Sequence, residues 1–207
     1  MQLPFFFEED FPASDNFILS EATSKHIVQV LRIRENENLL ITNGKGQLLT
    51  VNLTAADKKK AGVRVISKSV TPKLTPEINI GISLLKNTNR FEWFLEKATE
   101  IGVSEIVPII CERTEKQHFR YDRMKNIIIS AMLQSQQSWL PVLQQPLSSL
   151  ELIKNAARQH KYIAYCADDK KMHLGNAKNS QGDHIILIGP EGAVSYTHLT
   201  LPTILLV

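Results

Sequence analysis

Cysteine is scarce in this chain, with two residues in 207, and the pair lacks the close spacing of a redox or metal motif. Cys111 and Cys166 both lie in apolar runs, so we expect reduced core thiols rather than a disulfide framework. No apolar stretch reaches the roughly 18 residues expected of a membrane span. Phe5–Phe7 are followed by acidic residues, without the basic leader of a secretory signal. These absences argue against a secreted or membrane protein and predict a cytoplasmic one.

The chain also lacks the short motifs by which many enzymes are found. It has no GxGxxG or Walker phosphate loop, no GxSxG elbow and no HExxH zinc motif. None of the six histidines has metal-site spacing, so we expect no metal and interpret them as surface or hydrogen-bonded core residues. The net charge of +3 permits a basic face for nucleic acid but does not require one.

The N-terminal third has the pattern of a small β domain. Strand-length runs occur at residues 17–19, 38–42, 47–51 and 62–66. Asn43 and Gly44 between two of them predict a hairpin, because this pair accepts positive φ angles. A short helix is predicted from Ser20 to Arg32, with apolar positions at Ile27, Val30 and Leu31. Two prolines within residues 71–76 indicate a linker, and we place a first domain at 1–72 and the linker at 73–77.

From residue 78 strands alternate with helices. The strands are predicted at residues 78–85, 105–111, 162–166 and 184–188. One helix is predicted to begin at Asn89 with Glu92 in capping-box position, and another at Ser148 with Glu151. This alternation predicts an α/β domain over residues 78–192, built on a parallel sheet with right-handed crossovers.

The last predicted strand ends abruptly in Gly189, Pro190, Glu191 and Gly192. Glycine lets a ligand approach the main chain, and proline stiffens the loop before anything binds. In open α/β sheets, ligands bind beyond the carboxyl ends of the strands, where this loop would lie. The alternative is an ordinary tight turn after a core strand.

Cationic side chains follow the first two strands of this domain. Lys86 and Arg90 come after the first strand, and Arg113 comes after the second. If they converge beside the glycine loop, they form a positive rim suited to a phosphate-bearing substrate. The alternative is that each charged loop is simply solvated.

The helix after the first strand has an unusual distribution of charge. Glu96 and Glu100 place like charges on neighbouring turns, and Glu92 and Lys97 also lie outside the apolar stripe. A helix shaped only for solubility would avoid that repulsion. One of these groups is therefore a candidate for the site or for an interface.

Several runs together resemble a known family. The matching positions are residues 26–32, residues 96–103, Pro108, residues 112–114, Gln134 with Ser135, Leu140 with Pro141, and residues 188–192. Their order and content resemble the ribosomal RNA small subunit methyltransferase E family, which methylates N3 of a uridine in 16S rRNA with S-adenosylmethionine. The resemblance covers residues 1–192.

This resemblance implies an N-terminal PUA-like β-barrel, a C-terminal SPOUT domain with a trefoil knot, and a homodimer that acts on 16S rRNA of the small ribosomal subunit. It also assigns roles to individual residues. The implied cofactor site consists of Ile188, Gly189, Pro190, Glu191 and Gly192, with Leu84 and Cys166 as weaker candidates. Arg113 would stabilise the developing anion, Lys86 and Arg90 would hold RNA phosphates, and His26 and Arg32 would contact RNA from the first domain. The alternative for His26 and Arg32 is a structural role in the barrel.

The chain departs from the family's pattern after Gly192. Residues 193–207 resemble read-through of a sequencing adaptor and are strand-prone in composition. We therefore expect an incomplete knot, weak cofactor binding and little turnover in this chain. The alternatives are a noncatalytic RNA-binding protein, whose RNA affinity falls with salt, and a domain for another nucleotide, which the missing glycine-rich phosphate loop disfavours.

Overall fold

The computed structural model of the 207-residue chain describes residues 3–111, 114, 118–155, 160–164, 182–189 and 204–206. Predictions that concern Arg113, Cys166, Pro190, Glu191 and Gly192 lie outside the described residues. The chain divides into two compact units. The first unit is Met1–Lys73 with Ile129–Leu140, and the second is Leu74–Ile128 with Pro141–Val207. The domain limits at 72 and 78 stay predictions.

The first unit is built on a five-stranded sheet, and the strand-length runs predicted four of its strands, all except the first. Its strands are β1 (Phe5–Phe7), β2 (Asn16–Ile18), β3 (Asn38–Thr42), β4 (Gln47–Ala55) and β5 (Gly62–Val70). They lie in the order β1-β3-β4-β5-β2, with β1 parallel to β3 and the other pairs antiparallel. Alternate residues of the strands, such as Leu39, Ile41, Val51 and Leu53, are fully buried, as expected for a sheet with one face on a core. Closure of this sheet into a barrel stays a prediction.

The predicted hairpin joins β3 and β4. The Asn43 Oδ1 accepts hydrogen bonds from the backbone N–H groups of Lys45 at 2.9 Å and Gln47 at 3.2 Å. Gly44 and Gly46 have φ angles of 68° and 84°, in the left-handed region that glycine tolerates. At Gly46 a Cβ atom would also lie 2.5 Å from the Trp139 ring, so this position requires glycine on both counts.

The predicted helix after β2 differs from expectation at its C-terminal end. It begins as α1 (Glu21–Lys25), capped by the Ser20 hydroxyl, which accepts from the Thr23 N–H at 3.3 Å. It then widens into a π-helical turn at His26–Val30. A π turn holds more residues than an α turn, so the apolar positions no longer share one face. Ile27 is fully buried, whereas Val30 is 64% exposed.

The second unit is built on a parallel sheet, which confirms the predicted architecture. Its strands are β6 (Ile78–Ser83), β7 (Glu105–Ile110), β8 (Val142–Leu143), β9 (Leu147–Ser148), β10 (His160–Ala164), β11 (His184–Ile188) and β12 (Ile204–Leu206). The order is β12-β10-β11-β6-β7-β8, with β9 also on β7, and every pairing is parallel. The late strand β11 therefore lies between β10 and β6. The trefoil knot and its completeness stay predictions.

The described residues after β6 form three helices: α2 (Thr88–Glu100), α3 (Tyr121–Gln134) and α4 (Ser149–Asn155). Residues of α3 up to Ile128 belong to the second unit, and those from Ile129 belong to the first. The predicted capping box of α4 is confirmed, because the Ser148 hydroxyl and N–H both donate to Glu151 Oε2, at 2.8 and 3.1 Å. The predicted cap of α2 is wrong. Asn87 caps this helix, with its side chain accepting from the Asn89 N–H at 3.0 Å. Asparagine occurs at both positions, and the local pattern did not separate them.

Apolar side chains from strands and from α4 form the core beneath the sheet. Val107, Ile109, Ile163, Ile185 and Leu187 are each at most 4% exposed. Strands buried in this way read as continuous aliphatic runs, which explains why they could be located from the sequence. Within the described ranges, no helix combines the length and the apolar character needed to cross a bilayer.

Candidate active site

The carboxyl ends of β11, β6 and β7 lie side by side at one edge of the parallel sheet. Ile188 of β11 pairs with Ile82 of β6, and Ser83 pairs with Ile109 of β7. The next residues of two of these strands, Gly189 and Leu84, therefore emerge at the same edge. The buried Leu84 is held there by its N–H, which donates to the Ile109 carbonyl at 3.1 Å. The structure thus brings together Leu84, Ile188 and Gly189, whose role in cofactor binding stays a prediction.

A buried group of hydroxyls joins two of these strand ends. The Ser83 and Thr114 hydroxyls lie 3.3 Å apart, and Thr114 Oγ1 accepts from the Cys111 N–H at 2.8 Å. The Thr114 N–H donates back to the Cys111 carbonyl at 2.9 Å. Ser83, Cys111 and Thr114 are each at most 8% exposed, so these bonds are shielded from water. The chain after β7 is therefore tied to the end of β6.

Neither Ser83 nor Thr114 was predicted as a site residue, although Thr114 lies in the run 112–114 that resembles the family. Their signal was weak, because a serine at the end of an aliphatic strand and a threonine in a charged loop are common. Thr114 directly follows Arg113, the predicted catalytic residue, in the chain. The hydroxyl group therefore fixes the residue next to Arg113 in sequence, while Arg113 lies outside the described residues.

Lys86 and Arg90 flank the start of α2, which follows β6, and both side chains are exposed. The Arg90 N–H donates to the Asn87 carbonyl at 3.2 Å, which places Arg90 in the first turn. Because α2 begins where β6 ends, both cations are on the carboxyl side of the sheet. Their convergence with Arg113 stays a prediction.

The acidic residues of α2 are engaged in ion pairs. Glu92 receives two hydrogen bonds from Arg123 of α3, from Nε to Oε1 at 2.6 Å and from Nη2 to Oε2 at 2.9 Å. These bonds hold the pKa of Glu92 below its usual value, and the carboxylate in turn raises the pKa of Arg123. The Lys97 ammonium lies 2.8 Å from Glu100 and 3.0 Å from Glu96. It therefore offsets the repulsion that made this helix unusual.

The opposite edge of the sheet contains two stacked histidines. The rings of His160 and His184, at the starts of β10 and β11, lie 4.9 Å apart, and Tyr162 lies 5.8 Å from His184. Burial, and then the neighbouring His160, lower the pKa of His184. The Asn79 side chain donates to the His184 carbonyl at 2.9 Å, and the Glu77 N–H donates to Asp183 Oδ1 at 3.2 Å. Ring stacking and side-chain hydrogen bonds to the backbone therefore stabilise this edge of the sheet.

In the first unit, the residues predicted to contact RNA lie on and beside the π turn. His26 is exposed and meets Phe6 edge to face at 5.8 Å. Arg32 is exposed and has a φ angle of 54°, which is uncommon outside glycine. π turns and left-handed non-glycine residues are frequent at functional sites. The RNA contacts of His26 and Arg32 stay a prediction.

Two family models match the chain. A model described as RNA methyltransferase domain matches residues 72–201, and one described as RNA methyltransferase PUA domain matches residues 19–66. These matches correspond to the predicted order of an RNA-binding module followed by a methyltransferase module.

Solved structures and curated proteins show the same likeness. A probable rRNA-methyltransferase from Porphyromonas gingivalis is 32% identical, with a TM-score of 0.86 over 95% of this chain and 84% of that one. A ribosomal RNA small subunit methyltransferase E from Neisseria gonorrhoeae, solved bound to S-adenosyl methionine, is 25% identical with a TM-score of 0.82, over 96% of this chain and 84% of that one. A protein of the same name from Mesomycoplasma hyopneumoniae (strain 232) is 28% identical, over 85% of this chain and 76% of its own length.

Proposed function

Because this chain belongs to the RNA methyltransferase family, together with the ribosomal RNA small subunit methyltransferases E, we propose that it methylates N3 of a uridine in 16S rRNA. The proposed methyl donor is S-adenosylmethionine, which the Neisseria gonorrhoeae structure contains. The observation that carries the proposal is the alignment of Leu84, Ile188 and Gly189 at the carboxyl edge of the sheet. Parallel α/β sheets bind their ligands at this edge.

The described residues at this edge fit the adenosine part of that donor. Leu84 is a buried apolar residue that follows β6, and Gly189 has no side chain to hinder the approach of a ligand to its backbone. Binding pockets commonly combine such apolar walls with a few backbone hydrogen-bonding groups. In this proposal Ile188, Gly189, Pro190, Glu191 and Gly192 hold the donor, with Leu84 and Cys166 at neighbouring strand ends.

When bound, S-adenosylmethionine supplies an electrophilic methyl group. The protein must position the uracil ring and stabilise the negative charge that N3 acquires as its proton leaves. We assign the second task to Arg113, because a guanidinium group combines a positive charge with several hydrogen-bond donors. The hydroxyl bonds of Thr114 support this assignment, because they anchor the adjoining residue to the end of β6.

The remaining assignments concern RNA. Lys86 and Arg90 would hold phosphates beside the site, and their exposure on the carboxyl side of the sheet supports this. His26 and Arg32 would contact RNA from the first unit, where the PUA-domain model matches residues 19–66. The family resemblance further supports a homodimer that works on the small ribosomal subunit in the cytoplasm.

Methyl transfer can be measured directly with labelled donor. The chain would be incubated with S-adenosylmethionine carrying a labelled methyl group and with either free 16S rRNA or assembled small subunits. A matched version would continue after Gly192 with the corresponding sequence of the Porphyromonas gingivalis relative. Digestion to nucleosides and mass spectrometry would locate the label.

Label on N3 of uridine, from either version, supports the proposal, and the ratio between versions measures the effect of residues 193–207. Label on another atom overturns the proposed target but keeps the methyltransferase. If both versions bind RNA with salt-sensitive affinity and transfer no methyl group to any RNA tested, the noncatalytic RNA-binding function replaces this proposal.

A further inference from the structure

A polar cavity lies in the second unit between the first turns of α2 and α3. Its volume is about 290 Å³. The polar residues that line it are Thr88, Asn89, Glu92, His118, Arg120 and Arg123. The buried Met124 also contributes to the lining. Pockets that enclose whole drug-sized ligands start at about 300 Å³ and are mostly apolar, so this one suits a small charged group.

Aromatic contacts of Phe119 hold the chain beside the cavity. Phe119 packs edge to face against the buried Phe91 of α2 at 6.1 Å and against Tyr121 at 6.3 Å. The Tyr121 hydroxyl in turn donates to the Leu143 carbonyl at 3.1 Å. With Phe119 held by its neighbours, His118 and Arg120 on either side of it are exposed and line the cavity. Their backbone is therefore positioned before any ligand binds.

The charge of the lining is positive. Glu92 is the acidic side chain of the lining, and its bidentate pair with Arg123 offsets one arginine. Arg120 lies close enough to contribute to the lowered pKa of Glu92, but within the described ranges it forms no ion pair of its own. Among the described lining residues, Arg123 is paired with Glu92 and Arg120 carries the additional positive charge. Guanidinium groups bind phosphate oxygens in bidentate geometry.

The cavity is on the catalytic side of the sheet. α2 follows β6 and α3 follows β7, and these two strands are parallel. Both helices therefore begin at the carboxyl edge, where Leu84 and Gly189 emerge. An anion in the cavity would lie on the same side of the sheet as the proposed methyl donor.

We propose that this cavity binds a backbone phosphate of the substrate RNA, with Arg120 and His118 donating hydrogen bonds to its oxygens. The inference rests on the proposed function and adds a site to it, since neither residue was among those assigned to RNA. The Glu92–Arg123 pair forms a fixed wall, and Thr88 and Asn89 supply further polar groups. A phosphate contact orients the RNA without reading its sequence.

The test measures binding of a labelled RNA oligonucleotide from the small-subunit RNA by fluorescence anisotropy over a series of salt concentrations. Arg120→Ala and His118→Ala would be compared with the original chain and with Lys154→Ala, which removes an exposed cation of α4 outside the cavity. We expect Arg120→Ala to weaken RNA binding about tenfold. Loss of one phosphate contact should also flatten the slope of log affinity against log salt by about 0.7. Lys154→Ala should change neither quantity.

Circular dichroism would establish that each variant is folded. Arg120→Lys is a second, milder variant, because lysine keeps the positive charge but cannot bind a phosphate in bidentate geometry. The proposal is overturned if Arg120→Ala matches Lys154→Ala in affinity and slope, or if the chain binds no RNA. It is also overturned if Arg120→Ala weakens calorimetric binding of S-adenosylmethionine and leaves RNA binding unchanged, because the cavity would then hold the donor's carboxylate. A changed slope in a protein that transfers no methyl group would support this site and count against the proposed function.

Discussion

The two edges of the parallel sheet in the second unit are built differently. At the amino edge, side chains bond to backbone groups of neighbouring strands, as Asn79 does with His184 and Asp183 with Glu77. At the carboxyl edge, the buried hydroxyls of Ser83 and Thr114 connect the end of β6 to the chain after β7. Lys86, Arg90 and Arg120 are exposed on the same side of the sheet. One edge is thus closed by the protein's own groups, and the other presents cations to solvent. This difference is the reason that we place the proposed ligand site at the carboxyl edge.

The largest difference between the edges should be seen in catalysis. Replacement of Arg113 by alanine should reduce methyl transfer about a hundredfold, because a group that stabilises charge in the transition state has effects of this order. The measurement is incorporation of a labelled methyl group into RNA. It would use the original chain or the version continued after Gly192, according to which of them transfers label. Asn79→Ala at the amino edge is the control, and equal activity of the two variants would remove Arg113 from the mechanism.

The buried hydroxyls should matter for both stability and turnover. Thr114→Val keeps the shape of the side chain but removes its hydroxyl. The hydrogen bond from the Cys111 N–H to Thr114 Oγ1 and the hydroxyl contact with Ser83 are then lost. We expect the free energy of unfolding in urea to fall by about 1–3 kcal/mol. Thr114→Ser retains the hydroxyl and should recover most of the loss. A valine variant as stable as the original chain would show that these bonds do not anchor the carboxyl edge.

A substitution at the amino edge should have a smaller effect, confined to stability. Asn79→Ala removes the donor to the His184 carbonyl, which should cost about 0.5–1.5 kcal/mol. Part of this cost is offset, because the Asn79 Oδ1 is buried with no hydrogen-bond partner among the described residues. Calorimetric titration with S-adenosylmethionine should give the same affinity before and after the change. A weakened affinity would mean that the two edges are not independent.

The smallest expected effect is a dependence of stability on pH. The pKa of His184 is lowered in the folded protein by burial and by His160, so the unfolded chain takes up its proton more readily. The stability linked to this group is therefore present above the ordinary histidine pKa and is lost as the pH falls through and below it. We expect the melting temperature to decrease between about pH 7 and pH 5, and His184→Gln to reduce that decrease. An equal decrease in the variant would assign the effect to other groups.

Local signals in the sequence located most of the fold. The aliphatic runs of the second unit correspond to β6, β7, β10 and β11, and the Ser148–Glu151 capping box was recovered because it lies within four consecutive residues. The cap of α2 was misplaced by two residues, since Asn87 and Asn89 are equally good caps on local grounds. The π turn at His26–Val30 was missed because its widening follows from packing rather than from a local pattern.

The candidate site was predicted less completely, because it depends on contacts between distant parts of the chain. Leu84 and Gly189 could be placed at one edge because parallel strands end together. The cavity that Arg120 lines requires Phe119 to pack on Phe91, across 28 residues of sequence that no periodicity connects. The ion pair between Glu92 and Arg123 is a similar case, because it joins residues of two different helices. Glu92 was a candidate site residue from the sequence, and in the structure it is paired with Arg123 in the lining of the cavity.

The most direct test of the central claim is a titration of the isotopically labelled chain with S-adenosylmethionine, followed by the amide resonances in NMR spectra. We predict that the amides of Leu84, Thr114 and Gly189 shift on binding, while those of Asn79, His160 and His184 remain in place. Shifts confined to the amino edge or to the first unit would contradict the assignment of the methyl-donor site to the carboxyl edge.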